Sequence, residues 1–288
     1  MGVNIQTIKD IRFYLLKELE EIYQEPEIRA LSNITIKTVI GISRLHSLYM
    51  QEQKVSGSQA ERIIEICKEL KTGKPIQYII GETIFYDCII RLDSSTLIPR
   101  PETEELVDLI IKENRSFRGS IIDVGTGSGC IAIALAANLP DSSVTGLDIS
   151  REAISKAQEN ALLNHVDVSF ICSDIFNFDF FPDSRADIIV SNPPYVRNSE
   201  KKLINQNVIG FEPHTALFVP DNDPLVFYKA ILKEAEKILA PGGKLYFEIN
   251  EAMGKSMGKL MESFGYSQIK IVADINNKER IINGTRNG

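Results

Sequence analysis

Ser120-Ile121-Ile122-Asp123-Val124-Gly125-Thr126-Gly127-Ser128-Gly129 is the stretch on which the fold turns. Its first half is a short apolar run of the kind that forms a buried strand. Its second half carries glycine at alternate positions, which lets a backbone lie against a ligand where any Cβ would intrude. Ile131 to Asn138 then continue as a helix. The spacing is Gly-x-Gly-x-Gly, not the Gly-x-Gly-x-x-Gly of dinucleotide folds, and no Lys-Ser/Thr follows as a P-loop needs. Pyrophosphate is therefore not the expected guest.

Working outward, strand and helix alternate to the end of the chain. Further strands are expected at 144–147, 168–172, 186–191, 244–249, 269–272 and 281–285, with helices at 151–163, 224–239 and 253–264. This alternation implies an α/β fold: a doubly wound, mostly parallel, seven-stranded Rossmann-like sheet with right-handed crossovers. Residues 101–288 form that domain. Upstream, 76–98 are rich in Ile, Tyr, Phe and Thr, with turn residues at Gly81 and Asp93-Ser94-Ser95, and 76–100 read as a connecting β-hairpin. Residues 1–75 read as a small helical bundle. Ile8, Ile11, Leu15, Leu19 and Ile22 recur at helical spacing, and a second helix is expected to start at a capping box, Ser58-Gln59-Ala60-Glu61, and to end near Gly73. The sequence leaves open whether this bundle is a structural cap or a docking module.

The 288 residues carry a formal charge of −7. Residues 1–80 hold 11 Lys+Arg and 10 Asp+Glu, leaving −8 for the remainder, a poor surface for a phosphate backbone. No apolar run is long enough to span a membrane and no basic-then-apolar leader opens the chain, so a cytoplasmic protein is expected. Cys67, Cys88, Cys130 and Cys172 are scattered without a Cys-x-x-Cys pair and read as buried free thiols. His46, His165 and His214 lie too far apart to suggest a metal site.

Three further strand ends carry polar groups. Asp148 ends the second strand, where an acid can accept both hydroxyls of a ribose. Asp174, with Ile175 beside it, suits an adenine amino group and an apolar wall for the ring, although taken alone Asp174 reads better as a cap. Asn192-Pro193-Pro194-Tyr195 closes the run Ile188-Ile189-Val190. Each proline fixes φ and lacks an N–H, so the strand must stop and splay out at the carboxyl edge, where open α/β sheets bind ligands. Together these sites outline a nucleoside pocket without phosphate, as S-adenosylmethionine requires. Pro99-Arg100-Pro101-Glu102-Thr103-Glu104-Glu105 reads mainly as a helix start, which leaves Arg100 unexplained. Gly254-Lys255-Ser256 lacks the upstream glycine of a P-loop.

The tetrad Asn192 to Tyr195, with Gly125 to Gly129 and Asp148, resembles the amino-group class of S-adenosylmethionine-dependent methyltransferases. Gly73-Lys74-Pro75-Ile76-Gln77-Tyr78, Leu97-Ile98-Pro99-Arg100-Pro101-Glu102-Thr103-Glu104, Phe211-Glu212-Pro213, Ala216-Leu217, Asp274 and Arg280 narrow this. The combination is similar to the HemK/PrmC family of protein-(glutamine-N5) methyltransferases. Asn250 stands where the family usually has glycine. The resemblance implies methyl transfer from S-adenosyl-L-methionine, leaving S-adenosyl-L-homocysteine. The acceptor would be the glutamine of the Gly-Gly-Gln motif in class I peptide-chain release factors, an event that modulates translation termination. It implies a helical N-terminal domain that docks the release factor, no nucleic-acid substrate and a monomer. Gly125, Thr126, Gly127, Ser128, Gly129, Asp148, Asp174, Ile175 and Asn192 would hold the cofactor. Asn192, Pro193 and Tyr195 would act in catalysis, and Asn192 to Tyr195 with Arg100 would bind substrate. Adenine-N6 methylation of DNA or RNA, which uses the same tetrad, is the alternative.

Overall fold

The computed structural model describes residues 5–178 and 185–288. Its first helices are α1 (Ile8–Leu19), α2 (Glu25–Ile40), α3 (Arg44–Tyr49), α4 (Gly57–Leu70) and α5 (Ile76–Ile80). A hairpin of β1 (Glu82–Phe85) and β2 (Cys88–Arg91) leads to α6 (Pro101–Glu113). Then come β3 (Ser120–Val124), α7 (Cys130–Asn138), β4 (Ser143–Asp148), α8 (Arg151–Leu163), β5 (Ser169–Cys172) and β6 (Ala186–Ser191). Short strands β7 (Val196–Arg197) and β8 (Phe218–Val219) flank α9 (Gln206–Phe211). The chain finishes with α10 (Val226–Ile238), β9 (Leu239–Glu248), α11 (Gly254–Ser263), β10 (Tyr266–Ala273) and β11 (Glu279–Arg286). No helix among the described residues is long and apolar enough to cross a membrane.

The chain divides into two compact units, residues up to Gly81 with 206–211, and residues 82–205 with 212–288. In the first, Ile8, Ile11, Leu15 and Leu19 form one fully buried stripe of α1. Thr7 and Asp10 cap that helix reciprocally, Asp10 N–H donating to Thr7 Oγ1 at 3.3 Å and Thr7 N–H to Asp10 Oδ2 at 2.9 Å. Against this stripe pack Ile28, Leu31 and Ile36 of α2 and Ile63, Ile66, Cys67 and Leu70 of α4. The cap of α4 is Ser56, not Ser58. Gln59 reaches back to the Ser56 N–H at 2.9 Å, so Gly57 and Ser58 already lie in the first turn.

Residues 76–80 correct the sequence expectation of a strand. Their β-branched composition favours a strand, but as a helix Ile76 and Ile79 share one face and join the helical core, and Gly81 at φ +86° closes the turn. Within the same unit, Gly73 at φ +82° approaches α9 so closely that a Cβ there would sit 3.0 Å from Asn207 Oδ1.

The second unit holds a seven-stranded sheet in the order β10-β11-β9-β6-β3-β4-β5. β9, β6, β3, β4 and β5 pair in parallel, and β11 pairs antiparallel with both of its neighbours. From β3 the chain winds outward through β4 and β5, then returns to the other side of β3 with β6. The order thus reverses between β3 and β6, the position at which such sheets open a crevice. Tyr228, Ile231, Leu232, Ala235 and Ile238 give α10 an apolar stripe that packs with Ile122, Val124, Ile189, Leu245 and Phe247 of the sheet.

The hairpin turns at Tyr86-Asp87, both at positive φ (45° and 64°), and neither Gly81 nor Asp93-Ser94-Ser95 makes the turn. Two successive left-handed residues match the twist of paired strands. The open edge of β2 is covered by two carboxamides, one in α8 and one at its C-cap. Asn164 exchanges hydrogen bonds with Ile89 at 2.9 and 2.7 Å, and Asn160 does the same with Arg91 at 2.8 and 3.1 Å. Asn160 also donates to the Ser128 carbonyl at 2.9 Å, tying the hairpin to the glycine loop. Cys67, Cys88 and Cys130 are buried thiols, whereas Cys172, expected to be buried, is exposed. It ends β5 at the sheet boundary, where only one side is covered.

Two glycines separate packing from backbone freedom. A Cβ on Gly146 would lie 2.7 Å from Phe170 and 2.8 Å from Thr126 Oγ1, whereas one on Gly258, inside α11, meets nothing within 4 Å. Gly146→Ala is expected to destabilise by about 1–3 kcal/mol through overpacking. Gly258→Ala is expected to stabilise by about 0.5–1 kcal/mol by lowering the entropy of the unfolded chain. Urea midpoints of the two variants should move in opposite directions.

Candidate active site

Parallel pairing brings Val124, Ser191 and Phe247 into one row, so the loops after β3, β6 and β9 leave the sheet side by side. The Ser191 hydroxyl donates to the Val124 carbonyl at 2.6 Å and locks the first two together. Gly125 and Thr126 N–H both donate to the Leu147 carbonyl, at 2.8 and 2.9 Å, which folds the glycine loop back over β4. Gly125, Gly127 and Gly129 take φ of +73°, +55° and +80°. Their surroundings differ. A Cβ on Gly125 or Gly127 would point into open space, while one on Gly129 would sit 3.0 Å from Ala157 Cβ and 3.1 Å from Ile133 Cδ1. The first two glycines thus leave a bare backbone cradle at the edge, and the third lets α7 pack.

Asp148 stands beside that cradle. Its Oδ2 accepts the Gly127 N–H at 2.8 Å and its Oδ1 the Ser150 N–H at 2.9 Å. Burial raises its pKa, against the pull of those N–H groups. A carboxylate offers about four acceptor positions, so capacity remains on Asp148 for a ligand hydroxyl. Thr126 and Ser128 are buried, and the Thr126 hydroxyl donates to Asp123 Oδ2 at 2.6 Å, so these side chains brace the loop from beneath. Asp123, not singled out by sequence reasoning, is fully buried there, and desolvation pushes its carboxyl up to about 7.

Asp174 caps a one-turn 3-10 helix. Its Oδ1 accepts from Phe176 N–H at 2.9 Å and its Oδ2 from Asn177 Nδ2 at 2.7 Å, so both oxygens are engaged locally. Ile175 is half-buried against the main core. Ile149, passed over in the sequence, presents an apolar side chain 64% exposed directly after Asp148.

The Asn-Pro-Pro-Tyr turn begins one residue after β6. Asn192 Nδ2 donates to Thr103 Oγ1 at 3.2 Å, the Thr103 hydroxyl donates to Glu248 Oε2 at 2.7 Å, and Tyr195 O–H donates to Glu248 Oε1 at 3.0 Å. Glu248 ends β9 and is 1% exposed, and burial raises its carboxyl pKa while the Thr103 and Tyr195 hydroxyls and Arg280 pull it down. Tyr228 O–H donates to the Glu248 carbonyl at 2.9 Å, fixing the strand end. Pro193 is buried and Pro194 half-buried. Neither Thr103 nor Glu248 stood out in the sequence as a site residue. The available signals were a carboxylate closing the apolar strand Leu245 to Phe247 and a hydroxyl among the acids of a helix start.

Arg100 precedes α6 as its N-cap residue, and its Nη2 lies 2.6 Å from Glu212 Oε1. Glu212 Oε2 also accepts the Ile98 N–H at 3.2 Å. The arginine that capping left unexplained thus binds a buried carboxylate of the segment that follows α9. Glu104, one of the acids of that helix start, accepts the Tyr86 N–H at 2.8 Å and secures the hairpin turn. Asp274 and Arg280 pair at 3.2 Å, and Asn250 Oδ1 accepts the Ala252 N–H at 3.0 Å. No group of three or more His, Cys, Asp or Glu side chains among the described residues can hold a metal ion.

A methyltransferase domain family matches residues 118–282, and the PrmC N-terminal domain family matches residues 14–81. The release factor glutamine methyltransferase of Flavobacterium psychrophilum is 44% identical over 279 residues, which span 96% of this chain and 98% of that one. The chain belongs to the release factor glutamine methyltransferase family. The family member of Bacteroides thetaiotaomicron is 43% identical over 277 residues, 96% of this chain and 99% of its own. A methyltransferase from Pyrococcus furiosus has the same fold at a TM-score of 0.52 and 17% identity, over 81% of this chain and 100% of that one.

The Arg100–Glu212 pair gives a stability test. Glu212→Ala leaves the Ile98 N–H and the Arg100 guanidinium without their acceptor, and is expected to cost about 2–4 kcal/mol. Glu212→Gln, which can still accept from one of them, should lose less. Thermal melts of the two variants beside the parent check the order.

Proposed function

We propose that this enzyme transfers the methyl group of S-adenosyl-L-methionine to the side-chain amide nitrogen of a release-factor glutamine, the one in the Gly-Gly-Gln motif. The reading rests on the relatives' activity by name and on one observation in this chain. Asn192 sits at the carboxyl edge with its nitrogen anchored on Thr103 and its oxygen without a partner among the described residues.

An amide nitrogen is a weak nucleophile because its lone pair is delocalised into the carbonyl. The site must therefore hold the amide so that this lone pair is directed. Asn192 Oδ1 and the Pro193 carbonyl accept the two N–H bonds of the glutamine amide. The prolines on either side of that carbonyl stiffen the turn, so little freedom is lost when the substrate is held. Tyr195, with its hydroxyl fixed on Glu248, packs beside the amide plane and excludes water. When bound, S-adenosylmethionine would supply a sulfonium methyl as the electrophile, with S-adenosylhomocysteine as the leaving group, and the amide nitrogen releases one proton after transfer. The bare backbone at Gly125 and Gly127 makes room for it, Asp148 accepts its ribose hydroxyls, and Ile149 and Ile175 offer apolar faces to its adenine. Asp174, engaged in its own turn, serves this pocket by holding Ile175 in place. Arg100 acts on the substrate side by fixing Glu212.

Removing Asn192 as Ala is expected to abolish methylation while the affinity for S-adenosylhomocysteine, measured by calorimetry, stays within about threefold. Asp148→Ala should instead weaken that affinity by about 10- to 100-fold, the cost of losing charge-assisted hydrogen bonds. Methyl-labelled cofactor incubated with a release factor, with its Gln-substituted variant and with nucleic acid identifies the acceptor. Label is expected on the first alone, and label on nucleic acid but not on the release factor would overturn the reading.

A further inference from the structure

The two ends of an asparagine carboxamide have the same shape, so only its hydrogen-bond partners decide which end faces a substrate. At Asn192 that decision is made two residues away. Glu248 accepts a hydrogen bond from each of two hydroxyls, at 2.7 Å from Thr103 and at 3.0 Å from Tyr195. A threonine hydroxyl has one proton to give. With that proton committed to Glu248, Thr103 Oγ1 can meet Asn192 only as an acceptor, and the group 3.2 Å away must be the Asn192 NH₂. The Asn192 oxygen is then turned away from Thr103.

Thr103 and Glu248 are both held so that this arrangement cannot readily rearrange. Thr103 is 2% exposed in the first turn of α6, and Glu248 is 1% exposed at the end of β9 with its carbonyl held by Tyr228. The four polar groups come from three separate segments of the sequence, so their convergence is a product of the fold.

We infer that Glu248 is a positioning residue which, acting through Thr103, sets the orientation of the Asn192 carboxamide so that oxygen, not nitrogen, faces the acceptor amide. This rests on the proposed glutamine-amide reaction. In the opposite orientation Asn192 would offer an NH₂ to the substrate's own NH₂, two donors face to face. Glu248→Gln has the right size but brings a donor. Where its NH₂ meets Thr103, the hydroxyl proton is freed to point at Asn192 and the carboxamide turns over.

The test compares Thr103→Ser, Thr103→Val and Glu248→Gln with the parent by steady-state kinetics on a release factor, by S-adenosylhomocysteine calorimetry and by melting. Thr103→Val removes the relay without changing shape, and kcat should fall about 10- to 100-fold, the scale set by a buried polar pair left unmatched. KM for the release factor and cofactor affinity should stay within about threefold. Thr103→Ser keeps the hydroxyl and should recover kcat to within about threefold of the parent. Glu248→Gln should resemble Thr103→Val. A lost fold would appear as a lower melting point and weaker cofactor binding together, and the Ser/Val pair then decides. Equal kcat for the Ser and Val variants, or a Val variant at parental kcat, would overturn the inference. The ¹⁵N-resolved side-chain NH₂ signal of Asn192, identified by its absence in Asn192→Asp, gives a readout independent of turnover. It should exchange slowly with solvent in the parent and in Thr103→Ser, and faster in Thr103→Val. Failure of the parent to methylate a release factor would sink the functional reading alone. The NMR comparison would still decide the orientation.

Discussion

Parallel pairing of β3 with β6, clamped by the Ser191 hydroxyl on the Val124 carbonyl, is the constraint from which the site follows. Parallel strands end on the same side, so the glycine loop and the Asn-Pro-Pro-Tyr turn must emerge next to one another. β9, paired in parallel on the far side of β6, brings Glu248 to the same edge. The chain does not need to direct each loop to the site. Once the strand order is set, the loops arrive there, and only their local chemistry remains to be specified.

That chemistry relies on carboxylates in poorly solvated positions, each made tolerable by two donors. Asp148 takes two backbone N–H groups, Glu212 an N–H and a guanidinium, and Glu248 two hydroxyls. Burying a charge is costly, and pairing it offsets that cost without making the arrangement a large net source of stability. Its product is uniqueness. Glu212 joins residues more than a hundred positions apart, as does Glu248 with Thr103, so few alternative packings satisfy these groups.

The sheet was legible because its strands are apolar runs separated by amphipathic helices, a signal local enough to read one segment at a time. The glycine cradle, the stop after Ser191 and the helix start at Pro101 are equally local. Residues 76–80 form a helix because strand propensity there is overruled by burial of Ile76 and Ile79 in the helical core beside α4, a tertiary effect that residue composition does not carry. The cap of α4 was misplaced by two residues because Ser56 and Ser58 are chemically alike and only backbone geometry separates them. Thr103, Glu248 and Glu212 were hidden for the opposite reason: each looks ordinary in its own segment, and its role appears only when a distant segment arrives. Family resemblance pointed to the Pro-Arg-Pro-Glu-Thr-Glu segment and to a substrate role for Arg100, but not to the contacts that hold the segment. The Arg100–Glu212 and Thr103–Glu248 contacts give that segment a physical task.

The junction of Asn192 with Pro193 also bears on how the enzyme ages. An asparagine loses its amide most readily when the backbone nitrogen of the next residue attacks the side-chain carbonyl and closes a five-membered imide. Proline nitrogen carries no hydrogen and is already bonded to three carbons, so that ring cannot form. The same residue that ends the strand therefore shields the Asn192 carboxamide from its commonest route of chemical decay. Conversion of Asn192 to aspartate through the imide, which would put a negative charge in place of the amide beside Thr103, is closed off by the sequence itself.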